Sequence, residues 1–357
     1  MHVIVIGAGV IGALSAYSLQ NAGAQVTLVD SGSANATSAS FGWINASFFL
    51  NEHHFQLRNA ALAAWRELCD ALPLPICWSG CLSWEYTGDA FDQQLHSLQR
   101  LGYPVESVDA ATFAQLEPRI AQVPERSLLL RDEAAADSAA LARVLLDAAI
   151  ARGAKLYTGV EVLSFVTEGQ RVQGVQTCVG ALRADKTLIA AGTGSAALSA
   201  QLNAAVPLLD RPALTIKTRP LAPTLRHVLA TEFGEIRQLP SGELLMPTTV
   251  GHQADATTVI AAHIDTAAAD ALARLQKLLP GCDLALAEVS LANRPVPGDD
   301  LPVVGELVPG AYIATMHSGI TLAALMGQLI ASELLNGESA DSRHWLSPYR
   351  PQRFHQA

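Results

Sequence analysis

The chain is poor in charge and poorer still in positive charge: 16% of its residues are charged, with 23 Lys and Arg against 33 Asp and Glu. A net charge of −10 argues against nucleic acid or an anionic membrane as a partner, since neither polyanion gathers on a surface of its own sign. Any anion must be held locally, by helix ends and single arginines. Cysteine is scarce and scattered. Cys69, Cys77, Cys81, Cys178 and Cys282 include one close pair, Cys77-x-x-x-Cys81, and no second pair or histidine cluster completes a zinc site. His53 and His54 are adjacent and face different sides of any regular element, so no metal is expected. No apolar run approaches the roughly 18 residues of a membrane span, and no basic and apolar leader precedes the first strand. The expectation is a cytoplasmic protein. Apolar residues make up 50% of the chain, enough for a large core, and 357 residues suit two connected domains.

What is present is concentrated at the start, in HVIVIGAGVIGALSAYSLQNAGAQVTLVD. The apolar run Val3 to Ile6 meets Gly7, Gly9 and Gly12, then a helical stretch, then a second apolar run ending in Asp30. Gly7 permits the tight turn out of the strand, and Gly9 lets backbone approach a pyrophosphate. Gly12 lets the helix pack closely on the sheet. The helix start at Val10 and Ile11 offers unpaired N–H groups to phosphates, and Asp30, with Ser31 after it, can accept from ribose hydroxyls. Ala16, Leu19, Gly23, Val26 and Leu28 fall where a βαβ unit needs them. This pattern binds an adenine dinucleotide, and by itself it does not separate NAD from FAD.

Farther along, SGSANATSASFGWINASF reads as a loop rather than a third strand. Helical periodicity follows over 54–72 (Leu57, Ala61, Ala64, Trp65, Leu68). From Pro73 to about Arg131 the pattern breaks into short pieces. An alanine-rich helix is expected over 138–152, opened by Asp137 or Ser138 and closed by Gly153. Strands are expected at Lys155 to Tyr157, Glu161 to Phe165, Arg171 to Cys178 and Thr187 to Ala191, the last ending in Gly192-Thr193-Gly194-Ser195. Residues 212–264 read as strands with a hairpin at Ser241-Gly242, and a helix is expected near 266–279. A turn at Gly298-Asp299-Asp300, a strand at Tyr312 to Thr315 and a helix from Gly319 to Asn336 close the chain.

Four segments together make the chain resemble the D-amino-acid-oxidase-like flavoproteins, which include glycine oxidase, monomeric sarcosine oxidase and the D-amino acid dehydrogenases. They are the βαβ unit with Asp30; Thr37-Ser38-Ala39-Ser40-Phe41-Gly42-Trp43; the strand with Val162 followed by LIAAGTGS, with its Ala191 and Gly192; and NRPVPGDDLPVVG with YIATMHSGITLAALMGQLIASELL. The resemblance implies an α/β fold: a Rossmann-like FAD-binding domain from 1–75, 135–205 and 290–357, interleaved with a mixed-sheet α+β substrate-binding domain from 76–134 and 206–289. It implies FAD rather than NAD, since a nicotinamide domain does not need residues near 319 to finish its site. In relatives the small-residue loop passes the pyrophosphate on its way to the flavin, the valine backbone meets adenine, and the alanine-glycine turn lies beside the cofactor.

A helix beginning at Ser318, Gly319, Ile320 and Thr321 places N–H groups and a positive dipole end where a reduced flavin gathers negative charge, and Thr321 can add a side-chain hydrogen bond. Arg294 is the leading substrate residue, because a planar guanidinium grips a carboxylate at two points; Arg294-Pro295 matches the family's Arg-Pro facing the flavin. A salt bridge to Asp299 or Asp300 is the structural alternative. Arg237, Trp43 and His317 are further candidates for the active site; the alternatives are a solvated strand residue, a core tryptophan and a merely hydrogen-bonded histidine. Two departures bear on the pocket: Glu235-Ile236-Arg237 stands where glycine oxidases carry a tyrosine, and Met316 replaces a small residue. The expected reaction is oxidative deamination of a D-amino acid, glycine or an N-substituted amino acid, by hydride transfer from Cα to flavin N5, giving an imine. Oxygen, a quinone or a protein would take the electrons. The alternatives are a flavin-binding subunit or tRNA-modifying partner and, further off, an NAD-dependent dehydrogenase.

Overall fold

The alternation of the first two apolar runs decides the architecture. Val3, Val5, Val26 and Leu28 pack into one core, while Ile4, Ile6 and Val29 pack into another on the opposite face, as strands buried on both sides require. The computed structural model describes residues 1–33, 35–249 and 263–355. Strands His2–Ile6 and Gln25–Asp30 lie at the heart of a six-stranded sheet. Its order is Val303–Val308, Ala311–Thr315, Lys186–Ile189, His2–Ile6, Gln25–Asp30 and Lys155–Thr158; every pairing is parallel except that of the Val303–Val308 edge.

Helix Val10–Asn21 packs against helices Ser138–Ala151 and Gly319–Asn336, and the latter also meets helix Glu52–Ala71. Their apolar sides fill the first core with Leu14, Leu57, Trp65, Leu145 and Leu322. The Gly319–Asn336 helix is long and apolar enough to cross a membrane, yet it is mostly buried in this core. The opposite face is covered by an antiparallel sheet of Val162–Glu168, Arg171–Thr177 and Gly180–Arg183, with Leu198 of helix Ser195–Gln201.

A second, eight-stranded sheet runs Leu286–Asn293, Pro212–Thr218, Leu244–Pro247, Gly234–Gln238, Val228–Thr231, Cys81–Ser83, Arg126–Leu130 and Val105–Asp109. Its own core is closed by helix Ile264–Leu278. Strand Leu286–Asn293 belongs wholly to this sheet, so it crosses the boundary expected at residue 290.

Local expectations and structure agree closely. Asn51 caps Glu52–Ala71 by accepting from His54 N, and Asp137 caps Ser138–Ala151 by accepting from Ala140 N. The Ser241-Gly242 hairpin joins Gly234–Gln238 to Leu244–Pro247. The expected run of strands as far as 264 reaches into 250–262, which lie outside the described residues. Some elements differ, among them the unexpected strands Gly180–Arg183 and Val303–Val308. The loop after Asp30 contains a two-residue strand, Trp43–Ile44, paired with Ala134–Ala136; two residues are too few for alternation to show. Gly192–Gly194 is one turn of 3₁₀ helix leading into Ser195–Gln201. The chain ends in a helix, Ala340–Leu346, and two short turns, where no helix was expected.

Candidate functional site

The two large sheets and the closing helix enclose a cavity of about 850 Å³, within the range of small-molecule sites. The glycine turn forms one part of its wall. Gly7 has φ +100°, and a Cβ there would stand 2.5 Å from Ala190 O. Gly12 lies behind the wall: its Cβ would fall 1.9 Å from Gly7 O, so the helix can sit this close to the strand only without one. Gly9, Val10 and Ile11 border the cavity. Thr37 Oγ1 accepts from Val10 N at 3.1 Å, which ties the small-residue loop to the helix start. Asp30 also borders the cavity, and its carboxylate accepts from Ala8 N at 2.7 Å and Gly32 N at 2.8 Å. It therefore braces the turn, and a carboxylate has capacity for further donors.

Ser31, Thr37, Ser40, Gly42, Trp43, Val162, Ala191, Gly192, Arg294, His317, Ser318, Gly319, Ile320 and Thr321 all reach the same cavity. Residues from three well-separated stretches of the chain, 31–43, 162–192 and 294–321, thus converge. Ser38 is exposed in the turn, bonded to Asn35, and does not reach the wall. Gly192 has φ +56° and nothing within 4 Å of where a Cβ would be, so it offers bare backbone. Thr321 uses its hydroxyl within the protein: it donates to Trp43 O at 3.2 Å and accepts from Asn45 N at 3.4 Å. Its backbone end of the helix, rather than its side chain, is what can serve a ligand.

Arg294 is half-buried on the wall built by the eight-stranded sheet. Nε donates to Arg211 O at 3.3 Å and Nη2 to Pro212 O at 3.2 Å, so two backbone carbonyls aim the guanidinium. The alternative salt bridge is not formed with Asp299, whose carboxylate pairs with Arg353 at 2.7 Å. Arg237 is neither solvated nor on the cavity wall. It is 3% exposed and donates to Phe41 O and Ala136 O, bracing the loop beneath Gly42. Burial pulls its pKa down to about 10. His317 Nδ1 lies 3.2 Å from Ser318 Oγ.

Sequence reasoning missed Asn45, Arg58, Glu85, Thr215 and Thr231, which also line the cavity. It missed Glu133 behind them. This carboxylate is fully buried and accepts from Trp43 Nε1 at 2.9 Å, Tyr103 OH at 3.3 Å and Ser47 N at 3.3 Å. Burial pushes its pKa up to about 7.

A bare-backbone cradle at two strand ends, the N-termini of two helices and a long cavity between them suit a dinucleotide carrying a flat ring. Comparison with known proteins agrees. The model of the FAD-dependent oxidoreductase family matches residues 2–333. A D-amino acid dehydrogenase of Vibrio cholerae is 26% identical over an alignment 427 positions long, gaps included, covering 98% of this chain and 99% of that protein. Among solved structures, L-proline dehydrogenase from P. horikoshii superposes with a TM-score of 0.85 at 18% identity, covering 99% of this chain and 98% of that one. Glycine oxidase from Geobacillus kaustophilus gives 0.84 at 23% identity, with 98% of each chain covered.

Proposed function

The chain belongs to the FAD-dependent oxidoreductase family, and from that premise we propose that it oxidises the Cα–N bond of an amino acid to an imine. FAD is the cofactor. When bound, it supplies the acceptor for the hydride that leaves Cα. We assign the glycine turn and the Val10–Asn21 helix start to its pyrophosphate, Asp30 to ribose, Val162 to the adenine end, and Gly42, Trp43 and the start of the closing helix to its ring.

The observation that carries the substrate reading is Arg294. A guanidinium aimed by two backbone carbonyls, on the wall facing the glycine turn, is built to take a carboxylate at two points. The substrate amine reacts as the neutral base, and its lost proton passes to water, so the protein needs no His–Asp or Cys–His pair. Its work is to fix the carboxylate and exclude water. The names of the relatives support an amino acid and differ on which one: D-amino acids, L-proline and glycine all appear. We extend the proposal to a cytoplasmic setting, supported by five free thiols, two of them exposed.

Anaerobic titration of the yellow protein with D-amino acids, glycine, N-methyl amino acids and proline tests the reading. Bleaching by one class supports amino acid oxidation and names the class; admitting air then separates an oxidase from a dehydrogenase. No bleaching by any of them favours a flavin-binding subunit. Arg294→Ala should lower kcat/KM by well over tenfold, about 1.4 kcal/mol, with FAD retained. A smaller loss removes Arg294 from the role of carboxylate clamp.

A further inference from the structure

Arg58 is a buried cation with no carboxylate against it. It projects from helix Glu52–Ala71, is 3% exposed, and borders the cavity. Nε donates to Asn45 O at 3.1 Å, Nη2 to Asn45 Oδ1 at 2.5 Å and Nη1 to Ser318 Oγ at 2.7 Å. All three acceptors are neutral, and no ion pair among the described residues includes Arg58. Glu133 lies near enough for its charge to be felt, but its oxygens are committed to Trp43, Tyr103 and Ser47. Burial lowers the Arg58 pKa to about 10, so it stays charged at neutral pH. His54, one turn earlier, is pushed down to about 3 by burial and by Arg58, and is therefore neutral.

A buried charge without its opposite costs several kcal/mol, so its presence on a cavity wall calls for an anion. Arg58 also holds Ser318, the N-cap of the closing helix, which sits at φ +57° in the left-handed region. The guanidinium and the helix N-terminus thus place two sources of positive potential at one point of the wall. A substrate carboxylate already has Arg294 on the other sheet. The negative charge still lacking a partner is the one that two-electron reduction puts on the cofactor.

We infer that Arg58 is the fixed countercharge for the reduced, anionic ring of bound FAD, acting together with the closing helix. The inference rests on FAD occupying the cavity and is independent of which amino acid is oxidised. Arg58 is a positioning and electrostatic residue, and its signature is a redox potential rather than a rate.

The test is the midpoint potential of bound FAD, with sulfite affinity as a second readout, since sulfite adds to the oxidised ring and leaves negative charge on it. In Arg58→Gln holoenzyme the two-electron reduction equilibrium should fall at least tenfold, about 30 mV, and sulfite should bind more weakly. Arg58→Lys, which keeps the charge, should recover most of both. Asn45→Asp sets an anion beside an intact Arg58 and should lower the potential in the same direction; it decides the matter if Arg58→Gln does not retain FAD. An unchanged potential in FAD-loaded Arg58→Gln, or in Asn45→Asp if that substitution has to decide, overturns the inference. An unchanged potential with a raised substrate KM overturns it in a particular way, by giving Arg58 to the substrate carboxylate.

Discussion

The two walls of the cavity are made from different material. On the side of the six-stranded sheet, Gly7, Gly9, Gly192 and Gly319 bring backbone without side chains to the wall at strand ends and helix starts. On the side of the eight-stranded sheet side chains join the wall, with Thr215, Thr231 and Glu235 contributed by three separate strands and Arg294 by the residue just after a fourth. A backbone wall is fixed by the fold, so it suits the part that never changes. A side-chain wall can be rewritten one residue at a time without disturbing the sheet. This division explains how one fold carries relatives named for D-amino acids, L-proline and glycine.

The harshest way to break the comparison is to put a side chain into the backbone wall's foundation. In Gly12→Val the new Cβ would stand 1.9 Å from Gly7 O and 2.9 Å from its carbonyl carbon. Neither atom can swing aside as a side-chain tip could. The loss should reach or pass the upper end of the about 1–3 kcal/mol usual for overpacking, and the protein should purify colourless or not at all. A yellow Gly12→Val protein of unchanged melting temperature would show that the wall does not depend on this close approach.

The same contrast governs what the sequence could reveal. The glycine turn was legible because its parts lie within one βαβ unit and each follows from local geometry. The closing helix was legible locally, but its place at the site only by resemblance, because nothing local says that Thr321 meets Trp43. Arg58 was hidden by its type. Buried residues of its helix include His54, Phe55, Leu57, Arg58, Ala61, Leu62, Ala64 and Trp65. Arg58 stands inside that stripe at helical spacing, and an arginine there is a signal the periodicity already contained. Its partners are Asn45, 13 residues earlier in the preceding loop, and Ser318, 260 residues later. Glu133 gave no such hint: it follows an exposed turn, and only the tertiary fold covers it.

Glu133 offers a smaller and sharper perturbation, because it supports the backbone wall from behind through Trp43. An ordinary glutamate ionises near 4.5, whereas burial holds this one near 7. Between those values the native chain keeps a proton that the unfolded chain has released. Its contribution is therefore full at and below pH 4.5 and is lost as pH rises towards 7, a decline of up to about 3 kcal/mol. Thermal denaturation of Glu133→Gln across that interval should show a flatter profile than the parent. Parallel profiles would mean that Glu133 is already ionised in the native protein, and that its hydrogen bonds outweigh its burial.

Arg237 gives the gentlest test and the one that probes the seam between the walls. Strand alternation puts it on the same side as Glu235, which does reach the cavity. What separates them is the loop: Gly42 passes over Arg237 so closely that a Cβ on it would lie 2.9 Å from Nη2. The side chain belongs to the eight-stranded sheet by sequence and to the Phe41–Trp43 loop by contact. Lysine in its place can still reach one of the carbonyls of Phe41 and Ala136 and leaves the other unmet, at about 1–3 kcal/mol. Arg237→Lys should therefore lower the melting temperature and weaken FAD retention, while kcat/KM at saturating FAD moves by less than about tenfold. The reverse result, an unchanged melting temperature with kcat/KM reduced beyond that, would place Arg237 among the substrate residues. The boundary between the two walls would then run through the loop rather than beside it.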